Sequence, residues 1–320
     1  MINHVKKIII DTDPGIDDTM AIYFALNSPN LEVVGLTTVY GNTSNTQGTE
    51  NALRILEISN NPNIPVHTGA SKPLTTEYMG KGELVHGTDG QGNANLKKPT
   101  ISSSDLHAVD FLKNQILEFP GEITLVPIGP LTNIAHLLLK YPEIDKEIKE
   151  IVLMGGNAIS QGNASPAAEA NIKNDPEAAN IVFSANTPIT MVGLDVTNKV
   201  YMDDVIISEI TKSNSKESNH LQKILPHYVD FLTKFYDKKG MPVHDSSAIA
   251  YLVDNTLFKT TTFPIVVETE GISRGKTWMG TSKTEDPNDP WANRNSVNIC
   301  IEVEVKRTIE LIKNTLTNIK

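Results

Sequence analysis

Short, mostly β-branched apolar runs alternate along this chain with stretches whose apolar residues recur at helical spacing. Val5–Ile10 (broken by Lys6 and Lys7), Leu31–Tyr40, Ile123–Ile128, Glu150–Met154 and Ile189–Asp195 each have the length and composition of a strand buried on both faces of a parallel sheet. Helical spacing follows them: from Asp17 to Leu26, from Asn45 to Ile58, from about Ser104 to Glu118, from about Asp175-Pro176, and over 203–212 and 218–238. The tail adds strand-like segments at 263–268 and 297–303 and a closing helix to about 318. This alternation predicts an α/β fold, an open and mostly parallel sheet flanked by helices, with ligands at the carboxyl ends of the strands. The run 189–195 is expected to end the parallel series. From Lys72 to Pro99 periodicity is lost and glycine accumulates, as in a long functional loop or lid.

Composition narrows this picture. No linker interrupts the 320 residues, and 39% apolar content suffices for one large core, so a single domain over 1–320 is expected. The lone Cys300 leaves no disulfide framework within the chain and suits a reducing, cytoplasmic setting. No apolar run approaches the ~18 residues that span a bilayer. A net charge of −10 argues against general binding to nucleic acid or an anionic membrane, because both need basic surface. A neutral or cationic small molecule is the more natural partner.

The chemistry concentrates directly after the first strand. Asp11-Thr12-Asp13-Pro14-Gly15-Ile16-Asp17-Asp18 places four carboxylates within eight residues, at a strand end and in the first turn of a helix. Capping accounts for Asp17 or Asp18 singly, but not for all four. Carboxylates this close stay ionised at neutral pH only if something positive sits among them. The nearest lysines lie at the other end of the strand, so a hard divalent cation with oxygen ligands is the economical answer, Ca²⁺ first and Mg²⁺ second.

That stretch resembles the signature of the inosine-uridine preferring nucleoside hydrolases, and three later motifs agree: Gly129-Pro130-Leu131-Thr132-Asn133, the loop Gly162–Ile172, and Val243-His244-Asp245. The resemblance covers about residues 5–303. It implies a Rossmann-like nucleoside hydrolase fold and Ca²⁺ held by Asp13, Asp17, Asp18, the main-chain carbonyl of Ile128, and Asp245, with Asp11 supporting them from behind. It implies that Asn42, His86, Met154, Asn163, Glu169 and Asn171 contact the nucleoside, although several of these would otherwise be ordinary turn or capping residues. Ile128, Pro130 and Ala170 depart from the family pattern and bear on pocket shape. Relatives form homodimers or homotetramers.

The implied reaction is hydrolysis of the N-glycosidic bond of a ribonucleoside such as inosine or uridine. It needs an activated water, for which Asp13 is the expected base, and help for the departing nucleobase, expected from His244 or from His86 in its place. Two alternatives remain at this point. A haloacid-dehalogenase-type phosphatase also carries Asp-x-Asp after its first strand, and a nucleoside- or sugar-binding protein would use the same polar groups without turnover.

Overall fold

The computed structural model describes residues 5–80, 82–280 and 286–319. Its frame is a nine-stranded sheet built from β1 (Lys6–Thr12), β2 (Leu31–Thr38), β3 (Val66–Thr68), β4 (Ile123–Pro127), β5 (Glu150–Met154), β6 (Ile189–Val192), β9 (Phe258–Val267), β10 (Thr277–Met279) and β11 (Ser296–Val303). A separate pair, β7 (Tyr201–Met202) and β8 (Met241–Pro242), stands apart from it. The order across the large sheet is β10-β9-β11-β6-β5-β4-β1-β2-β3. From β3 to β6 neighbouring strands are parallel, as the sequence predicts.

The far edge differs from expectation. The strand starting at Ile189 stops at Val192, and Leu194–Thr197 forms a helical turn that includes Asp195. It does not end the parallel series, because β11 pairs parallel with β6 through Asn298–Thr190 and Ile299–Met191. The remaining two strands, β9 and β10, are antiparallel. β9 begins at Phe258, earlier than the segment expected from residue 263.

β1 illustrates how the sequence makes the frame. Ile8, Ile9 and Ile10 are all fully buried, Ile8 and Ile10 in one core and Ile9 in the other. Fully burying one such side chain contributes about 1.5–3 kcal/mol, so β1 is fixed by its own alternation and can carry carboxylates at its end. The first core holds helices Ile16–Leu26, Asn45–Ile58, Lys216–Tyr236, His244–Val253 and Val305–Thr317, and the second holds Ala108–Glu118, Thr132–Lys140 and Pro176–Val182. The helix expected from Ser104 starts instead at Ala108, where the His107 side chain accepts from Val109 N–H as its N-cap.

Because β1 lies between β2 and β4, the connection after β1 runs toward β2 and the one after β4 toward β5, in opposite directions, which opens a crevice beyond their carboxyl ends. Into that crevice project the ends of β1, β2, β4 and β5. Among the described residues no helix is long and apolar enough to cross a membrane.

Candidate active site

The helix after β1 starts at Ile16 and buries Asp17 and Asp18 in its first turn. Asp18 is held from three sides: Thr12 Oγ1 donates to Oδ1 at 2.6 Å, and Gly15 N–H and Asn42 Nδ2 donate to Oδ2 at 3.0 and 2.8 Å. Asn42 also donates its backbone N–H to Asp13 Oδ2 at 2.7 Å, so one residue after β2 orients two carboxylates. Asp13 lies between glycines that leave it room, since a Cβ on Gly41 would stand 2.0 Å from Oδ2 and one on Gly129 2.6 Å from Oδ1. Asp245, in the first turn of His244–Val253, completes the group. Ligand oxygens of Asp17, Asp18 and Asp245 lie within 4.8 Å of one another.

Burial and mutual repulsion push these acids upward. Desolvation, then Asp18 and Asp17, hold Asp13 well above the usual carboxylate range. Asp245 is raised well above it by the same causes, and Asp17 rises to about 6 through desolvation. No lysine or arginine among the described residues forms an ion pair with them, and Asp13 Oδ1 and Asp17 Oδ1 are buried without a hydrogen-bond partner. Oxygen-only donors, orphaned lone pairs and uncompensated negative charge fit a divalent cation. Asp11 stands behind the group, its Oδ1 accepting from Thr37 Oγ1 at 2.6 Å and Asn133 Nδ2 at 2.7 Å, and burial raises it to about 7. Asn133 has no place in the sequence reading except within its motif; its partner is 122 residues away.

His86 belongs to a one-turn helix, Glu83–His86, inside the stretch expected to be a long loop or lid. Ile16 N–H donates to His86 Nδ1 at 3.2 Å, so a neutral ring keeps its proton on Nε2. The absent side chain of Gly15 permits this approach, because a Cβ there would lie 2.7 Å from Nδ1. His244 Nδ1 pairs with Thr197 Oγ1 at 2.8 Å. Burial lowers both imidazoles to about 4 and keeps them neutral at pH 7.

These groups border a cavity of about 900 Å³. Of the expected residues, Asp17, Asn42, His86, Ile128, Met154, Asn163, Glu169, Asn171, His244 and Asp245 line it, whereas Asp13 and Asp18 lie behind its wall. Several polar atoms of the 162–171 loop already have partners within the protein. Glu169 caps the helix Ala170–Asn174 and accepts from Gly156, Asn171 and Ile172 N–H, and Asn163 Oδ1 accepts from Ala170 N–H at 3.0 Å. Asn171 Nδ2 donates to Ile128 O at 2.8 Å and to Met154 O at 3.2 Å. Tyr228 and Phe231, spaced three apart on Lys216–Tyr236, also line the cavity, with the Tyr228 ring 5.6 Å from that of His86. Their spacing is legible as a helix face, but nothing in it distinguishes a pocket from core. Trp278 and Trp291 do not line the cavity; Trp291 Nε1 donates to Trp278 O.

The crevice at the strand ends and the buried acids beside a large cavity define an α/β fold whose acidic cluster could hold a cation next to space for a small polar ligand. The chain belongs to the inosine-uridine preferring nucleoside hydrolase family, whose model matches residues 8–310. It is 41% identical over 314 residues to a probable uridine nucleosidase 2 of Arabidopsis thaliana, covering 97% of each chain. A solved plant nucleoside hydrolase, PpNRh1, superposes with a TM-score of 0.94 at 38% identity, covering 98% of this chain and 99% of that one. The purine-preferring ribonucleoside hydrolase from Gardnerella vaginalis superposes with a TM-score of 0.91 at 34% identity, covering 98% and 99%. The protein is therefore a ribonucleoside hydrolase, and the phosphatase and non-catalytic binding alternatives fall away.

Proposed function

We propose that this enzyme hydrolyses the N-glycosidic bond of ribonucleosides, inosine and uridine among them, to ribose and free base with Ca²⁺ as its metal, in cytoplasmic nucleoside salvage or catabolism. The observation that carries the reading is the buried Asp17–Asp18–Asp245 cluster at the edge of the large cavity. Asp13, Asp17, Asp18 and Asp245, with the Ile128 carbonyl, would hold the ion. When bound, it supplies a nucleophilic water at neutral pH.

The side chains do the rest. Asp13 takes a proton from the attacking water as the general base. Asn163, Glu169 and Asn171 face the ribose hydroxyls, Asn42 and Met154 border the sugar, and His244, or His86 in its place, delivers a proton to the departing base. Binding that tightens as the sugar becomes oxocarbenium-like raises the rate, whereas uniform binding does not. The named relatives divide between uridine and purine preference, which supports testing both substrate classes. By family resemblance the enzyme works as a homodimer or homotetramer.

Release of free base and reducing sugar from inosine and uridine tests the proposal. Asp13→Asn is expected to lower kcat by about 10²–10⁴-fold while substrate still binds. Near-normal turnover in that variant would remove Asp13 as the base.

A further inference from the structure

The structure assigns Asn51 a positioning role: it binds the His86-bearing loop to the turn that carries the carboxylates, so that the two halves of the site are held as one unit. This deepens the reading above and rests on its placement of His86 over the substrate. Asn51 lies on the helix Asn45–Ile58 and has no exposed surface. Its Nδ2 donates to Pro14 O at 2.9 Å and to Asp89 O at 2.8 Å, one carbonyl from each half.

The orientation of this amide follows from chemistry. Arg54 Nη1 donates to Asn51 Oδ1 at 2.7 Å, and a guanidinium can only donate, so the NH₂ group must face the two carbonyls. Gln47 Nε2 uses the second lone pair of Oδ1 at 3.1 Å. All four hydrogen-bonding capacities of the side chain are therefore used. Arg54 in turn donates through Nε to Lys97 O at 2.8 Å, drawing the far end of the same loop onto the helix.

A second amide reinforces the contact. Gln91 Nε2 donates to Gly15 O at 3.1 Å and to Thr19 Oγ1 at 2.9 Å. The loop sits so close that a Cβ on Gly90 would lie 2.9 Å from Asn51 Nδ2 and 3.2 Å from Pro14 O. The 72–99 stretch is thus no uniform mobile lid, because its 86–93 part is fastened to the metal-cluster turn. Without the amide, the buried Pro14 carbonyl and the part-buried Asp89 carbonyl would lose their shared donor, and separation of loop from turn would relieve them.

Asn51→Asp keeps the size of the side chain and the acceptor for Arg54 but removes both donors. It is expected to lower kcat/KM on a nucleoside by about 10²-fold, the scale set by a displacement of about 1 Å at a reacting site. Hydrogen exchange at the Gly90 and Gly92 amides should quicken in the same variant, a readout independent of turnover. Combined with His86→Ala, the loss should fall well short of the product of the two single losses, because both act through one loop. Additive losses, or wild-type exchange and kinetics in Asn51→Asp, would overturn the assignment. Exchange in the unmodified protein needs no variant to fold: protected Gly90 and Gly92 amides support the assignment, and open-loop rates overturn it. Wild-type kinetics in His86→Ala would remove His86 from the base but leave Asn51 to stand on exchange and on its own kinetic loss.

Discussion

Asn171 donates its side-chain amide across 2.8 Å to the main-chain carbonyl of Ile128, joining the loop expected to hold ribose to the strand end expected to hold the metal. One lone pair of that carbonyl is taken by Asn171, which leaves the other for the proposed ion. Asn171→Ala should therefore weaken Ca²⁺ binding as well as ribose binding, by about 10-fold or more in metal affinity. Calorimetric titration of Ca²⁺ into the metal-free variant checks this. A raised KM with unchanged metal affinity would restrict Asn171 to the sugar.

The raised carboxyls predict how pH and metal combine in stability. A buried acid whose pKa is raised stabilises the native state most below its unfolded value of about 3.9 and loses that contribution as pH rises through the folded value. For Asp17 and Asp11 the loss runs up to about 6 and about 7. The lowered histidines act oppositely: their contribution is present above the unfolded value of about 6.5 and is lost as pH falls toward about 4. Bound Ca²⁺ keeps its ligand carboxylates ionised and opposes protonation of the adjacent His86, so both effects make its stabilisation grow as pH rises. The difference in Tm between Ca²⁺ and chelator should be larger at pH 8 than at pH 5.5. A gap independent of pH would contradict the cluster as the metal site.

Leaving-group chemistry separates the two histidines. An aryl leaving group such as p-nitrophenolate departs without an acid, whereas a nucleobase needs one. His244→Ala should depress inosine hydrolysis strongly and spare p-nitrophenyl riboside. Because burial holds His244 near 4, its protonated fraction rises about tenfold for each unit that pH falls toward that value. The ratio of kcat on inosine to kcat on the aryl riboside should accordingly rise from pH 8 to pH 6 in the parent enzyme and stay flat in the variant. A selective loss in His86→Ala instead would transfer the acid to the loop.

Gly129→Ala probes the space around Asp13. The added Cβ would fall 2.6 Å from Asp13 Oδ1, the oxygen without a partner, and must displace it. Activity should fall by about 10²-fold or more with only a modest change in Tm. Full activity would mean that this oxygen takes no part in the reaction.

The parts of the molecule legible in sequence are those whose signals are local. The isoleucines of β1, the Asp-rich turn and the helix Asn45–Ile58 declare themselves through period, turn chemistry and capping, and the strand Glu150–Met154 through its apolar run. β3 and β10 are three residues each, too short to carry a period, and each is a strand only through its neighbour, β3 through β2 and β10 through the β9 that precedes it. The parallel pairing of β11 with β6 joins residues more than 100 positions apart and has no local signature. Within the site, Asp245 was legible through its motif, but the packing of Tyr228 against His86 was not, since an aromatic at helical spacing serves core and pocket alike. Glu169 offered acceptors for a sugar in sequence; in the structure its oxygens also cap the helix behind it.

The account turns on a cation held by Asp13, Asp17, Asp18 and Asp245 enabling nucleoside hydrolysis, and one measurement meets it directly. Base and reducing-sugar release from inosine and uridine is followed in purified protein, after chelation verified by elemental analysis, and again after Ca²⁺ is returned. The account predicts turnover that disappears with the metal and is restored by stoichiometric Ca²⁺. Full activity in protein shown to be metal-free would contradict it.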